Sequence, residues 1–115
     1  QVTIVFFISM VNASYILCIT TTSSVSSADE LALKIVKAGL GACVSISPIH
    51  SVFYWQDEVK KESEYQLTIK TKSSLSDKLQ TFIKDNHSYD LPEIIFIPIL
   101  SGDSNYLTWI HQTTN

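Results

Sequence analysis

Glycine and proline occur three times each in 115 residues, cysteine twice, and eight Lys+Arg stand against eleven Asp+Glu. Each scarcity excludes something. No G-x-x-x-x-G-K, G-x-S-x-G or H-E-x-x-H is present, which removes the phosphate-cradling loop, the nucleophile elbow and the zinc-protease helix. His50 and His111 have no evident nucleophile or carboxylate partner, so catalysis is not expected. Cys18 and Cys43 lie far apart and make neither a disulfide framework nor a zinc knuckle, which favours a reducing, cytoplasmic setting. A formal charge of -3 and a pI near 5.5 leave no basic stripe, so nucleic acid is not an expected partner. The opening QVTIVFFISM is apolar for about nine residues against the roughly 20 that a spanning helix needs, and it lacks a basic flank, so no membrane segment is expected. Residues 1–13 read as an N-terminal extension, residues 14–112 as one domain and 113–115 as a tail.

What is there is patterned. YILCITT at 15–21 is β-branched and aromatic, and predicts a buried strand running into a Thr/Ser cluster. Ser27 and Glu30 form an S-x-x-E capping box, which predicts a helix over 28–40 with Leu31, Ile35 and Ala38 on one face. From Ala42 the period falls to two until Pro48 interrupts, VFYW continues extended, and Gln56-Asp57 reads as a turn. Tyr65, Leu67 and Ile69 alternate with polar partners in a third strand. Ser74 and Asp77 predict a second capped helix, which Leu91-Pro92 prevents from continuing. A fourth strand is expected over 94–99 and a last helix capped by Asp103.

The order β-α-β-β-α-β plus a short C-terminal helix predicts an α+β, ferredoxin-like split β-α-β fold: an antiparallel sheet with two helices on one face. The other face should be polar if it meets water, yet VFYW and IIFI are apolar on both sides. Covering even ~600 Å² of such surface is worth roughly 15 kcal/mol before association costs. A homo-oligomer follows from this, without a stoichiometry.

The segments GACVSISP (41–48), SVFYWQDEV (51–59), YQLTIKTK (65–72), NHSYDLPEI (86–94) and GDSNYLTWI (102–110) resemble the CutA divalent-cation tolerance family. The resemblance runs in order over residues 15–110. It implies a compact homotrimer similar to the PII signalling proteins, non-enzymatic, acting in the response to divalent metal ions, copper among them. Two departures matter. The family's His-Pro-Tyr-Glu is His87-Ser88-Tyr89-Asp90 here, and of the three cysteines of copper-associated bacterial members Cys18 and Cys43 fill two positions while Phe82 fills the third.

Cys18, Cys43 and His87 are the candidate metal ligands, because thiolate suits Cu(I) and imidazole suits Cu(II) and zinc. In the strand order 4-1-3-2 the two cysteines would lie roughly 10 Å apart across a strand, which opposes one shared ion. Their other reading is apolar filling, and that of His87 is a partner for the helix dipole. Tyr89 and Glu93 are candidates to join His87 around a cation or a small polar ligand. Lys70, on the polar face of the third strand, is a candidate to pair with Glu93 at a subunit boundary or to bind a small anion. Tyr54, Trp55 and Trp109 are candidates to line a cleft between subunits, as interface anchors or as a ligand or protein-partner platform.

Overall fold

The structure is a computed structural model describing residues 13–115, so the reading of residues 1–13 as an extension falls almost wholly outside the described residues. Strands β1 (Tyr15–Thr22), β2 (Cys43–Trp55), β3 (Glu58–Lys72) and β4 (Ile95–Ile99) form one antiparallel sheet in the order β2-β3-β1-β4. Helices α1 (Val25–Lys37), α2 (Ser76–Asp85) and α3 (Ser104–Thr113) complete the ferredoxin-like α+β arrangement.

Register assigns the faces. Residues opposite each other across a ladder share a side, so Cys18, Ile69, Val44 and Phe96 lie on one face and Leu17, Lys70, Cys43 and Ile97 on the other. Helices α1 and α2 cover the first face, where Ala28, Leu31, Ile35, Leu79 and Ile83 close over Cys18, Leu67 and Ile69. This is the core. The second face is covered at one end by α3, where the Lys70 ammonium lies 5.7 Å from the Tyr106 ring centroid. Elsewhere it stays open, with Ile95 49% and Ile97 43% exposed.

Four local expectations need correction. Helix α1 starts three residues early, because Ser24 and Ser27 form the capping box and Ser27 supplies the oxygen expected of Glu30. Strand β2 runs through Pro48 without a break, since it is an edge strand and one side of it needs no ladder donor. Helix α2 has no side-chain cap; a 3-10 turn at Ser73–Leu75 leads into it instead. The final residues dock, with the Asn115 N–H donating to the Gly39 carbonyl and its side-chain amide to that of Ala38. Gly39 makes this closure with φ +72, a left-handed conformation that suits glycine.

The β2–β3 pairing runs from Cys43–Lys70 to Trp55–Glu58, whereas β1 accompanies β3 only as far as Thr22–Tyr65. Residues 49–64 therefore project as a two-stranded arm. Gln56 and Asp57, at φ 53 and 62, close it in the two-residue turn whose twist matches the flanking strands.

Beneath the helices, Thr20 is fully buried and its hydroxyl has no hydrogen-bond partner among the described residues. A buried hydroxyl in that state carries an uncompensated desolvation cost. Thr20→Val keeps the shape and is expected to raise unfolding stability by about 1 kcal/mol, read as a shift in the urea midpoint at unchanged slope.

Candidate functional site

The loop after α2 is tied down by its own side chains. His87 Nε2 lies 2.7 Å from the Thr21 carbonyl, and its Nδ1 accepts the Tyr89 backbone N–H at 3.0 Å. This pair of bonds selects the tautomer with the proton on Nε2. The Tyr89 ring packs against the imidazole, 4.8 Å between centroids, and its hydroxyl donates to Glu64 Oε2 on the arm at 2.9 Å. One chain of contacts thus links the end of β1, the loop and the arm.

Between loop and arm lies a cleft of about 1020 Å³. Its walls carry Phe53, Tyr54, Trp55 and Tyr89 among the aromatics, and Glu62, Glu64, Asp90 and Glu93 among the acids. Glu64 is only 8% exposed. Burial, then the bond to Glu64 and the negative charges of Glu64 and Glu62, push the Tyr89 phenol up to about 12. Burial first and Glu64 second also raise Glu93 above the usual carboxylate value. The electrostatics of the cleft oppose further negative charge.

The structure brings together Tyr54, Trp55, Tyr89 and Glu93 of the sequence candidates, and places the others elsewhere. Cys18 and Cys43 lie on opposite faces of the sheet, with β3 between their strands. Cys18 is in the core, and burial pushes its thiol up to about 12, which disfavours the thiolate form. Both His87 nitrogens are engaged within the chain. Cys18, Cys43 and His87 therefore do not converge, and among the described residues no three His, Cys, Asp or Glu side chains are placed to hold one metal ion. Lys70 lies six residues along β3 from Glu64, about 20 Å at strand rise, so an ion pair with Glu93 does not form within one chain. Its neighbours are Tyr106 and, through a ring contact at 5.4 Å, Trp109.

Sequence reasoning missed Glu62, Glu64 and Phe53. The signal available was the alternation of Glu62 and Glu64 beyond a two-residue turn, which puts both on the face of Phe53 and Trp55.

The profile of the CutA1 divalent ion tolerance protein family matches residues 16–113. This chain belongs to the CutA family. It is 37% identical over 103 residues to the divalent-cation tolerance protein CutA of Pectobacterium atrosepticum, covering 89% of this chain and 92% of that one. The chloroplastic CutA 1 of Oryza sativa is 44% identical over 86 residues, 74% of this chain and 49% of that protein. This chain thus spans about half the length of that plant relative. The crystal structure of CutA1 from Oryza sativa superposes with a TM-score of 0.87 at 38% identity, covering 90% of this chain and 95% of that chain. No helix among the described residues is long and apolar enough to cross a membrane.

Proposed function

We propose that this CutA chain is a non-catalytic, homotrimeric binding protein in the response to divalent cations, copper among them, with ligands held in clefts made or bordered by neighbouring copies. The observation that carries the assembly is the open apolar surface: Ile95 and Ile97 on the uncovered sheet face, and Tyr54, 76% exposed, on the arm. Apolar side chains left exposed on both the sheet and the arm mark an interface. The names of its relatives support the link to divalent cations. The donor set inside one chain does not fit a Cys18–Cys43–His87 metal centre, so copper contact is assigned outside it. Two unpaired cysteines held on opposite sheet faces are compatible with a reducing compartment such as the cytoplasm.

Sedimentation and copper titration test the two halves separately. Sedimentation in dilute buffer is expected to give three chains per particle, and a stable folded monomer would overturn the assembly. Titration of Cu(II) into wild type and His87→Ala is expected to give the same affinity; a loss in the variant would restore His87 as a ligand.

A second reading is favoured by Lys70. It sits on the second sheet face at the end that α3 covers, over Tyr106, with no carboxylate partner among the described residues. That arrangement supports a PII-like signalling or scaffold role, with a small anion or a protein partner's acidic group at Lys70. Loss of sulfate or phosphate binding in Lys70→Ala is its test.

A further inference from the structure

The loop between α2 and β4 is held by side chains rather than by its backbone. Residues 87–93 make no backbone–backbone hydrogen bond among the described residues, and Asn86, Ser88, Asp90 and Leu91 are exposed. What ties the loop down is His87 and Tyr89. The Nε2–H of His87 reaches the Thr21 carbonyl at 2.7 Å, and Nδ1 accepts the Tyr89 backbone N–H at 3.0 Å. The second bond spans two residues, the reach of the side-chain oxygen in an Asx turn, and an imidazole makes it only while Nδ1 carries no proton. Tyr89 then completes the connection to the arm through Glu64.

We propose that His87 is a proton-operated latch: neutral, it ties the loop to the body and through Tyr89 to the arm; protonated, it lets the chain from Tyr89 onward swing off Glu64. A second proton, taken from solvent, puts a donor on Nδ1 opposite the Tyr89 donor, and that backbone N–H loses its acceptor. Nε2 is a donor in both forms, so the imidazole stays on Thr21 and the pivot falls at Ser88. The charges that face the ring do not hold the cationic form closed. On α1, Glu30 and Lys34 line the cavity of about 180 Å³ beside it and are paired with each other at 3.1 Å. On β3, Glu64 already accepts the Tyr89 phenol, and β1 presents only the Thr21 carbonyl. Along the segment itself Lys84, Asp85, Asp90 and Glu93 are exposed, where salt screens them. The latch therefore holds at neutral pH and gives way as pH falls. It needs neither a metal ion nor a second copy of the chain.

Proton–nitrogen NMR of the whole protein in chelator-treated buffer, from about pH 8 to about pH 5, tests it. At neutral pH the imidazole nitrogens are expected to show the proton on Nε2. In the acidic window of about pH 5 to 6 where histidine switches act, the Tyr89 amide should shift with the same midpoint as the imidazole. Its exchange protection, corrected for the intrinsic pH dependence, should fall about tenfold, the loss of one hydrogen bond, while the Leu67 and Ile69 amides keep theirs. His87→Asn puts an acceptor oxygen near the place of Nδ1 and does not titrate, so its Tyr89 protection should stay level over the same range. The proposal is overturned by a Tyr89 amide that stays protected while the imidazole titrates, or by a neutral imidazole with its proton on Nδ1. It is overturned equally by an imidazole that stays neutral down to acid unfolding, or by the wild-type pH response in His87→Asn. Should that variant not fold, the wild-type spectra decide alone.

Discussion

Ile69→Ala is expected to cost about 4 kcal/mol of unfolding stability, the largest loss among the substitutions considered. Ile69 is fully buried on the strand with neighbours on both sides, facing Cys18 across β1 and Val44 across β2. Its Cγ2 would lie 2.8 Å from a Cβ built on Gly41, with Ile35 Cγ2 at 2.9 Å from the same point, so the chain already approaches as closely as glycine permits. The sheet ladder on both sides prevents β3 from moving to fill the space, and the truncation therefore leaves most of its cavity behind. Ile69→Val should cost about 1 kcal/mol, and Leu33→Ala, on the exposed face of α1, under about 0.5 kcal/mol. Denaturant midpoints at one fixed protomer concentration measure all three, since an assembly makes apparent stability depend on concentration. Equal losses at Ile69 and Leu33 would mean that α1 does not pack on β3 as described.

The layers of this fold were legible because its core strands and helices carry clean periods. Leu67 and Ile69 alternate with Thr68 and Lys70, while Leu31 and Ile35 recur a turn apart, and each set ends up where its period points. Three features were illegible for physical reasons. The run of serines before α1 offers overlapping capping frames, and only the observed backbone shows that Ser24 and Ser27 are the pair that closes. Pro48 reads as a break until the strand order makes β2 an edge. The arm is the larger case. EVKKESE has no apolar face to announce a strand, and its pairing is set instead by the positive φ angles of Gln56 and Asp57 and by register carried outward from the core. Glu64 was missed for the same reason. A carboxylate among charged neighbours looks like solvated surface until a distant tyrosine is brought to it.

Tyr89→Phe is expected to cost about 2 kcal/mol at neutral pH, although the change removes a single oxygen. The phenol supplies the one hydrogen bond that a described residue makes to the Glu64 carboxylate, and a hydrogen bond to a charged group contributes about 1.5–3 kcal/mol. Its loss leaves a nearly buried carboxylate without a donor and unties the loop from the arm. The pH dependence gives the contact a signature that mere packing would not have. Tyr89 is held protonated in the folded chain, raised from the ordinary 10.0 to about 12. Folding therefore gains from the protonated phenol fully below pH 10, and that gain is lost as pH rises through about 12. The wild-type advantage over Tyr89→Phe should stay level from pH 6 to 9 and shrink beyond 10, in urea titrations that compare the two proteins at each pH. A gap that persists unchanged above that range would assign the loss to packing against His87 and take the Tyr89–Glu64 bond out of the account.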